Sequence, residues 1–309
     1  LELAKVDEPF TNLLTQGMVS KETYRCEEHG WLFPGDLIGS EKDGWRCAQC
    51  SRTVTIGRIE KMSKSKKNII DPEDLIGRYG ADTARLFTLF AAPPEKDLEW
   101  SDQGVEGAYR FLARVWRLVF QQRELWARDA AGSNGAGELS PELRDLRRAI
   151  HRTIKKVTDD IEGRFHFNTA IAAIMELVNA LSAEAQRGDA SIASASVRKL
   201  GLETVILLLA PFVPHVASEL WREVGHSELL DHVAWPTYSS EAIEEEKLLI
   251  VVQVNGKVRG KITVPADMSQ ARIESDALSD PKVASMLDGK KVRRVVYVPR
   301  RLVNIVLED

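Results

Sequence analysis

The sequence predicts a mainly α chain of several domains, with two small β-containing parts. Three observations carry this. Between residues 71 and 224 the apolar residues recur at spacings of three and four, the period of a helix with one buried face. At Leu248 the pattern switches to alternation, the period of a half-buried strand. Residues 22–57 hold all three cysteines, His29 and several glycines with little helical period, which reads as short strands and tight turns. A length of 309 residues suits two or three domains at about 100–200 residues each. With 44% hydrophobic residues, wholesale disorder is excluded.

Taken in order, residues 1–21 read as the end of a larger unit, and 22–57 as the cysteine-bearing insert. A Lys/Ser-rich run follows, Lys61 to Asn68. Asp71-Pro72 is an N-cap followed by a proline at the first helical position, with Gly80 as the stop. A second helix covers about Asp82 to Ala91 and ends at Pro93-Pro94. Ser101 or Asp102 caps a long helix to about Arg128. Residues 131–139 are a flexible loop by composition. Ser140-Pro141-Glu142 opens a helix whose apolar stripe is Leu143, Leu146, Ile150, Ile154, Val157 and Ile161. Asn168 to Ala185 is apolar almost all round, so it is expected in the middle of an antiparallel helical bundle. Another helix ends near Ala210, and Pro214 starts the next, up to about Val224. Leu248–Val254 and Lys257–Val264 flank Asn255-Gly256, a two-residue hairpin signal. A helical stretch from about Gln270 to Leu287, broken near Asp280-Pro281, then leads to strands at Val292–Val298 and Leu302–Leu307.

Charge is uneven. The whole chain has 42 Lys/Arg against 46 Asp/Glu, a net −4, which excludes a histone-like polycation. Residues 251–309 carry 11 Lys/Arg against 7 Asp/Glu, a net +4. The C-terminal fifth is therefore basic within an acidic whole. No apolar stretch approaches the ~20 residues of a membrane span, and no cleavable leader is visible. Three cysteines are too few for a disulfide framework, so a reducing, cytoplasmic setting is expected.

Three constellations stand out. Arg58, Lys61, Lys64, Lys66 and Lys67, less Glu60, give +4 in 11 residues. Such a run is a solvated loop, or it delivers flexible ammonium groups to phosphates. Cys26-x-x-His29 and Cys47-x-x-Cys50, 17 residues apart, fit two knuckles of a tetrahedral, structural zinc site; the plain alternative is three unrelated thiols. Arg144, Arg148, Arg152 and Lys155 run along one helix opposite its apolar stripe, and Arg110, Arg114 and Arg117 along the preceding one. These are solvated faces, or phosphate contacts. In the tail, Lys257, Arg259 and Lys261 alternate on one strand face, with Val258, Ile262 and Val264 expected opposite. Lys290, Lys291, Arg293, Arg294, Arg300 and Arg301 cluster nearby. His166, between two phenylalanines and with no partner nucleophile in the pattern, reads as structural.

Lys61-Met62-Ser63-Lys64-Ser65 matches the second ATP-binding motif of class I aminoacyl-tRNA synthetases. Asn68, Asp71-Pro72 and Tyr79-Gly80-Ala81-Asp82-Thr83-Ala84-Arg85 extend the match. Asp97 to Ser101, Gly104 to Ala108, Phe111 to Trp116, Arg164 to Ile171, Leu209 to His215, Trp235-Pro236 and Val252 to Gly260 resemble the bacterial leucine-specific family. The resemblance runs from about Asp7 to Leu307. One departure is large: none of the six histidines sits in the His-x-Gly-His pattern of the family's first ATP motif, and no editing insert is present. The chain is therefore expected to correspond to the C-terminal third of such an enzyme.

What the resemblance implies is concrete. The fold would combine a remnant of the class I α/β catalytic domain at 1–58, carrying a zinc-ribbon-like insert at about 22–57, with the motif loop and stem-contact helices at 59–100. A helical bundle of the anticodon-binding type would occupy 101–243, and a small α+β tRNA-binding domain 244–309. The parent activity would be ATP-dependent activation of leucine, with Mg2+, and its transfer to tRNA(Leu). Residues 61–65 would bind ATP, with Lys64 stabilising the departing pyrophosphate and Lys61 supporting it. ATP and leucine would be bound largely through the N-terminal part, and the enzyme would act as a monomer. Zinc is neither demanded nor forbidden by the resemblance. The alternative is a non-catalytic tRNA-binding or zinc-ribbon protein that shares these domains.

Overall fold

The computed structural model describes residues 13–40, 43–129, 139–244, 247–265, 268–287, 290–299 and 301–308. The first twelve residues, the loop expected at 131–139 except Leu139, and Arg300 lie outside them. The chain divides into two compact units, Leu1–Ala242 and Ile243–Asp309.

The first unit opens with β structure. β1 (Val19–Cys26) pairs antiparallel with β2 (Gly30–Leu32). A hairpin of β3 (Leu37–Ser40) and β4 (Gly44–Cys47) follows. β5 (Thr55–Lys61) then returns along the other edge of β1, antiparallel, with Ser20 opposite Lys61 and Lys21 opposite Glu60. Tyr24, Cys26, Leu32, Cys47 and Val54 form a mini-core of their own.

Helices take over at α1 (Pro72–Tyr79), where the Asp71 side chain accepts the Glu73 N–H at 2.8 Å. Gly80, at φ 84°, turns the chain into α2 (Ala81–Ala91), a conformation that favours glycine. β6 (Leu98–Glu99) adds in parallel to Val19 and Ser20 of β1. α3 (Asp102–Gln121) follows, capped by Ser101. The helix expected to continue to about Arg128 is instead broken. α4 (Glu124–Asp129) begins after a turn at Gln122-Arg123. A tertiary contact decides that end: buried Arg198 donates to the Gln122 side chain at 2.6 Å.

α5 (Pro141–Arg164), α6 (Phe167–Gln186), α7 (Ile192–Leu209) and α8 (Pro214–Glu223) share one hydrophobic core with α2 and α3. The α5 stripe from Leu143 to Val157 is buried as its period requires. α6 packs against α2, α3, α5 and α7, as expected of a helix in the middle of the bundle; α7 buries the larger share of its residues, including Ser194, Arg198, Gly201 and Thr204, and keeps Ile192, Ser196 and Leu200 on an exposed face. Gly201 makes the approach of α7 to α6 feasible: a Cβ there would meet Leu181 at 2.5 Å. His166 sits at the N-cap of α6, its backbone N–H on the Asp160 carbonyl at 2.9 Å. α9 (Ser240–Ile243) is a single turn.

The second unit is a four-stranded sheet with two helices. Its strands are β7 (Lys247–Val254), β8 (Lys257–Pro265), β9 (Val292–Val298) and β10 (Leu302–Leu307), in the order β8-β7-β10-β9. β7 and β10 run parallel, and the other pairs antiparallel. Asn255 (φ 49°) and Gly256 (φ 78°) form the β7–β8 turn, the geometry that favours Asn-Gly. The helices, α10 (Gln270–Ser279) and α11 (Pro281–Leu287), bury Ile273, Ala277 and Val283 against Ile250, Val252, Val303 and Ile305. No described helix is long and apolar enough to cross a membrane.

Candidate functional site

The Lys/Ser run is a closed loop rather than a loose tail. β5 delivers Lys61, and the Met62 N–H then donates to the Val19 carbonyl at 2.9 Å. Lys64–Lys66 form one 3-10 turn, capped by Ser63, whose Oγ accepts the Lys66 N–H. Asn68 is fully buried beneath it. Its Oδ1 accepts the Ser63 N–H at 2.9 Å, and its Nδ2 donates to the Lys21 and Glu60 carbonyls at 3.1 Å. A buried amide with its donors and acceptor satisfied fixes the backbone that surrounds it.

The loop's cations divide into two kinds. Lys66 pairs with Glu60, and Lys67 lies over the Phe33 ring at 5.4 Å. Lys61, Lys64 and Ser65 are exposed. Lys64 lines a cleft of about 690 Å³ together with Phe33, Asp71, Asp74, Arg78 and Asp102. The arrangement can therefore present ammonium groups to an anion.

Cys26, His29, Cys47 and Cys50 converge, with their ligand atoms all within 4.8 Å of one another. Cys26 Sγ is 3.6 Å from Cys50 Sγ and 3.7 Å from His29 Nδ1, and Cys47 Sγ is 3.6 Å from His29 Nδ1. Zinc–sulfur bonds of about 2.3 Å in a tetrahedron give edges of roughly 3.5–3.8 Å, so the donor set fits. The turn Cys47–Cys50 closes with Ser51 at φ 57° and its N–H on the Cys47 carbonyl. The backbone N–H of His29 draws the Cys26 thiol down to about 6, against the opposing effect of burial; thiolate is the ligating form. The Arg52 backbone N–H lowers Cys50, but burial and the neighbouring Cys26 and Cys47 sulfurs outweigh it and push that thiol up.

The basic surfaces are uneven. Arg110, Arg114 and Arg117 are exposed on α3. On α5, Arg152 is exposed, but Arg144 and Arg148 are half-buried, and Arg148 pairs with Asp145. The expected solvated stripe opposite the core is thus narrower, because Arg144 and Arg148 fall at the edge of the buried face. In the second unit Lys257, Arg259, Lys261, Lys290, Lys291, Arg293, Arg294 and Arg301 are all exposed. Val258, expected to face inward, is 56% exposed, because the β7–β8 register shifts at Arg259 and places Val258 opposite Gln253; the same shift sets Lys257 opposite buried Val254, so Lys257, Arg259 and Lys261 do not share the single strand face expected of them.

Sequence reasoning assigned no role to two residues that it quoted. Asp82, 5% exposed, accepts from His215 Nδ1 at 2.8 Å and from the Val216 N–H at 2.6 Å. Arg85 donates to the Pro211 and Phe212 carbonyls at 3.1 Å. Together they clamp the turn from α7 to α8 onto α2. Asp82 and His215 also line a cleft of about 670 Å³ with Tyr79, Tyr109, Trp116 and Arg110. The strings around Asp82 and His215 were legible, but 133 residues separate them, and only folding joins them.

Comparison with known proteins gives the following. Residues 144–275 match the anticodon-binding domain of tRNA ligase, and residues 48–101 match tRNA synthetases class I (I, L, M and V). Leucine–tRNA ligase from Syntrophus aciditrophicus is 51% identical over 99% of this chain and 35% of that protein. The leucine–tRNA ligase of Desulfatibacillum aliphaticivorans is 49% identical over the same shares. The crystal structure of the ternary complex of Agrobacterium radiobacter LeuRS-tRNA-LeuAMS superposes with a TM-score of 0.69 and 34% identity, covering 81% of this chain and 31% of that one. The chain spans about a third of the length of these relatives.

Proposed function

The chain belongs to the leucine-specific class I tRNA synthetases, and we propose that it supplies the phosphate loop and the tRNA-binding parts of a leucine–tRNA ligase. The reaction joins leucine to AMP from ATP, releasing pyrophosphate, and then transfers leucine to the terminal adenosine of tRNA(Leu). Lys64 Nζ meets the charge that develops on the departing pyrophosphate, and Lys61 adds a second ammonium. Residues 61–65 bind ATP with Mg2+, and Cys26, His29, Cys47 and Cys50 hold a structural zinc. The observation that carries the reading is the pairing of the Lys61–Ser65 string with its geometry: Lys61 and Lys64 point outward while Asn68 pins the backbone below. A protein that merely bound tRNA would leave that arrangement without a purpose.

The bundle of the anticodon-binding type contributes exposed Arg110, Arg114, Arg117 and Arg152 to the tRNA backbone, with half-buried Arg144 and Arg148 at the edge of that surface. The C-terminal unit contributes Lys257, Arg259, Lys261, Lys290, Lys291, Arg293 and Arg294. The protein is read as a cytoplasmic monomer. Exposed guanidinium forks fit phosphates, and folded RNA is recognised largely by shape and backbone.

Leucine-dependent ATP–pyrophosphate exchange tests the catalytic part. These 309 residues contain no His-x-Gly-His motif, so exchange is expected only when a polypeptide carrying that motif is joined to them. In the joined protein Lys64→Ala should lower the rate by ~10²–10³, the worth of a preorganised electrostatic donor, with tRNA affinity little changed. An unaltered exchange rate would remove Lys64 from the chemistry.

A further inference from the structure

We infer that the Cys26/His29/Cys47/Cys50 knuckle is the anchor that holds the Lys61–Lys67 loop, so that metal bound there positions Lys64. The inference rests on reading the cluster as a zinc site and deepens the phosphate-loop reading. The knuckle lies outside that loop in sequence and shares no ligand with it, yet four separate contacts tie the two.

The first tie is continuous backbone. β1 ends at the ligand Cys26, and β5 ends at Lys61, with Arg25 opposite Thr55 at the knuckle end and Ser20 opposite Lys61 at the loop end. The ladder has one irregularity between Glu22 and Tyr24, so a disturbance of the β1 end reaches the loop through the contacts of Thr23 at that point. The second tie is the closeness of that ladder. A Cβ on Gly57 would lie 2.3 Å from Thr23 Oγ1, and that hydroxyl donates to the Arg58 carbonyl at 3.3 Å. The third is Asn68, whose amide bridges β1 at Lys21, β5 at Glu60 and the loop at Ser63. The fourth is direct. Phe33, just past β2, lies under Lys67 and forms one wall of the cleft that Lys64 lines.

What the metal adds follows from size. Among the described residues the mini-core beside the knuckle has five buried members, of which two are ligands, Cys26 and Cys47. So small a core does not hold its strands without a crosslink, and for sites of this kind metal binding is part of the folding free energy. Without metal the knuckle end of the β1–β5 ladder frays, and the loosening reaches Asn68 through the Thr23–Gly57 packing, since Lys21 and Glu60 pair at the loop end, where β6 also holds β1. Asn68 and Thr23 act as positioning residues, since neither is exposed to a substrate at Lys64.

Hydrogen exchange on the full chain tests this with zinc as the probe. With about one equivalent of zinc bound, the Met62 and Ser63 amides are expected to be protected. Chelation should cut that protection at least tenfold, with the α5 and α7 amides unchanged. Asn68→Ala should retain zinc yet lose the same loop protection. It separates the latch from any general unfolding that chelation brings, because its zinc ligands are all intact. Loop protection that survives chelation would overturn the inference, as would a chain that takes up no zinc. The outcome is independent of catalysis. If chelation frees the loop while Lys64→Ala leaves exchange activity intact, the latch stands and the phosphate reading falls.

Discussion

At the scale of single residues, four lysines of equal charge meet two fates for a physical reason. Lys66 has Glu60 within reach and Lys67 has the Phe33 ring, so neither is available to a ligand. Lys61 and Lys64 remain exposed. Composition shows the cluster; only the fold sorts its members. His151 gives a separate prediction. It is buried in α5, its Nδ1 accepting the Ser239 N–H at 3.3 Å. Burial, and secondarily the Arg147 charge, hold its pKa below the ordinary 6.5. Protonation is thus costlier in the folded state than in the unfolded one. Stability is complete above pH ~6.5 and falls as the pH drops below it. The urea midpoint of the wild type should decline between pH 7.5 and 5.5, and His151→Gln should flatten that decline. Parallel curves for both proteins would exclude His151 as the cause.

At the scale of elements, α5 joins sequence to stability most plainly. Its stripe is periodic, and Ile150 and Val157 are fully buried on it. Ile150 packs between α5, α6 and α7, near Gly201. Ile150→Ala should cost about 2–5 kcal/mol through lost burial and a residual cavity, read from denaturant unfolding. Ser140 caps the same helix, its Oγ accepting the Leu143 N–H at 3.3 Å. Ser140→Ala should cost about 1 kcal/mol. A cost for the cap mutant equal to that of the core mutant would contradict this ordering. Helix ends were legible wherever a cap or a proline marked them, as at Asp71-Pro72, Ser101 and Ser140-Pro141. The break after Gln121 was not legible, because the partner that causes it, Arg198, lies 76 residues away.

At the scale of the molecule, the charge asymmetry of the sequence becomes a surface in the second unit. Lys257, Arg259 and Lys261 lie along β8 around the register shift at Arg259, and all three are exposed. Replacing the three by alanine should leave the fold intact, since none contributes to the Ile250–Ile305 core. It should weaken tRNA binding and flatten the dependence of log affinity on log salt by ~0.7–0.9 per lost phosphate contact. An unchanged affinity and slope, measured by titration at several salt concentrations, would leave this face as a solubilising one.

The sequence by itself determined the periods, the caps, the Asn255-Gly256 turn, the ligand spacing of the knuckle and the motif string at Lys61–Ser65. These are local properties, carried by residues within a few positions of one another. The tertiary structure decided the rest. It buried Arg144 and Arg148 partway, buried Ser194, Arg198 and Thr204 on α7, joined Asp82 to His215, and set Asn68 between two strands and the loop. Each of those depends on which distant segment packs alongside. Burial and hydrogen-bond satisfaction are properties of the assembled core, and no local pattern encodes the partner.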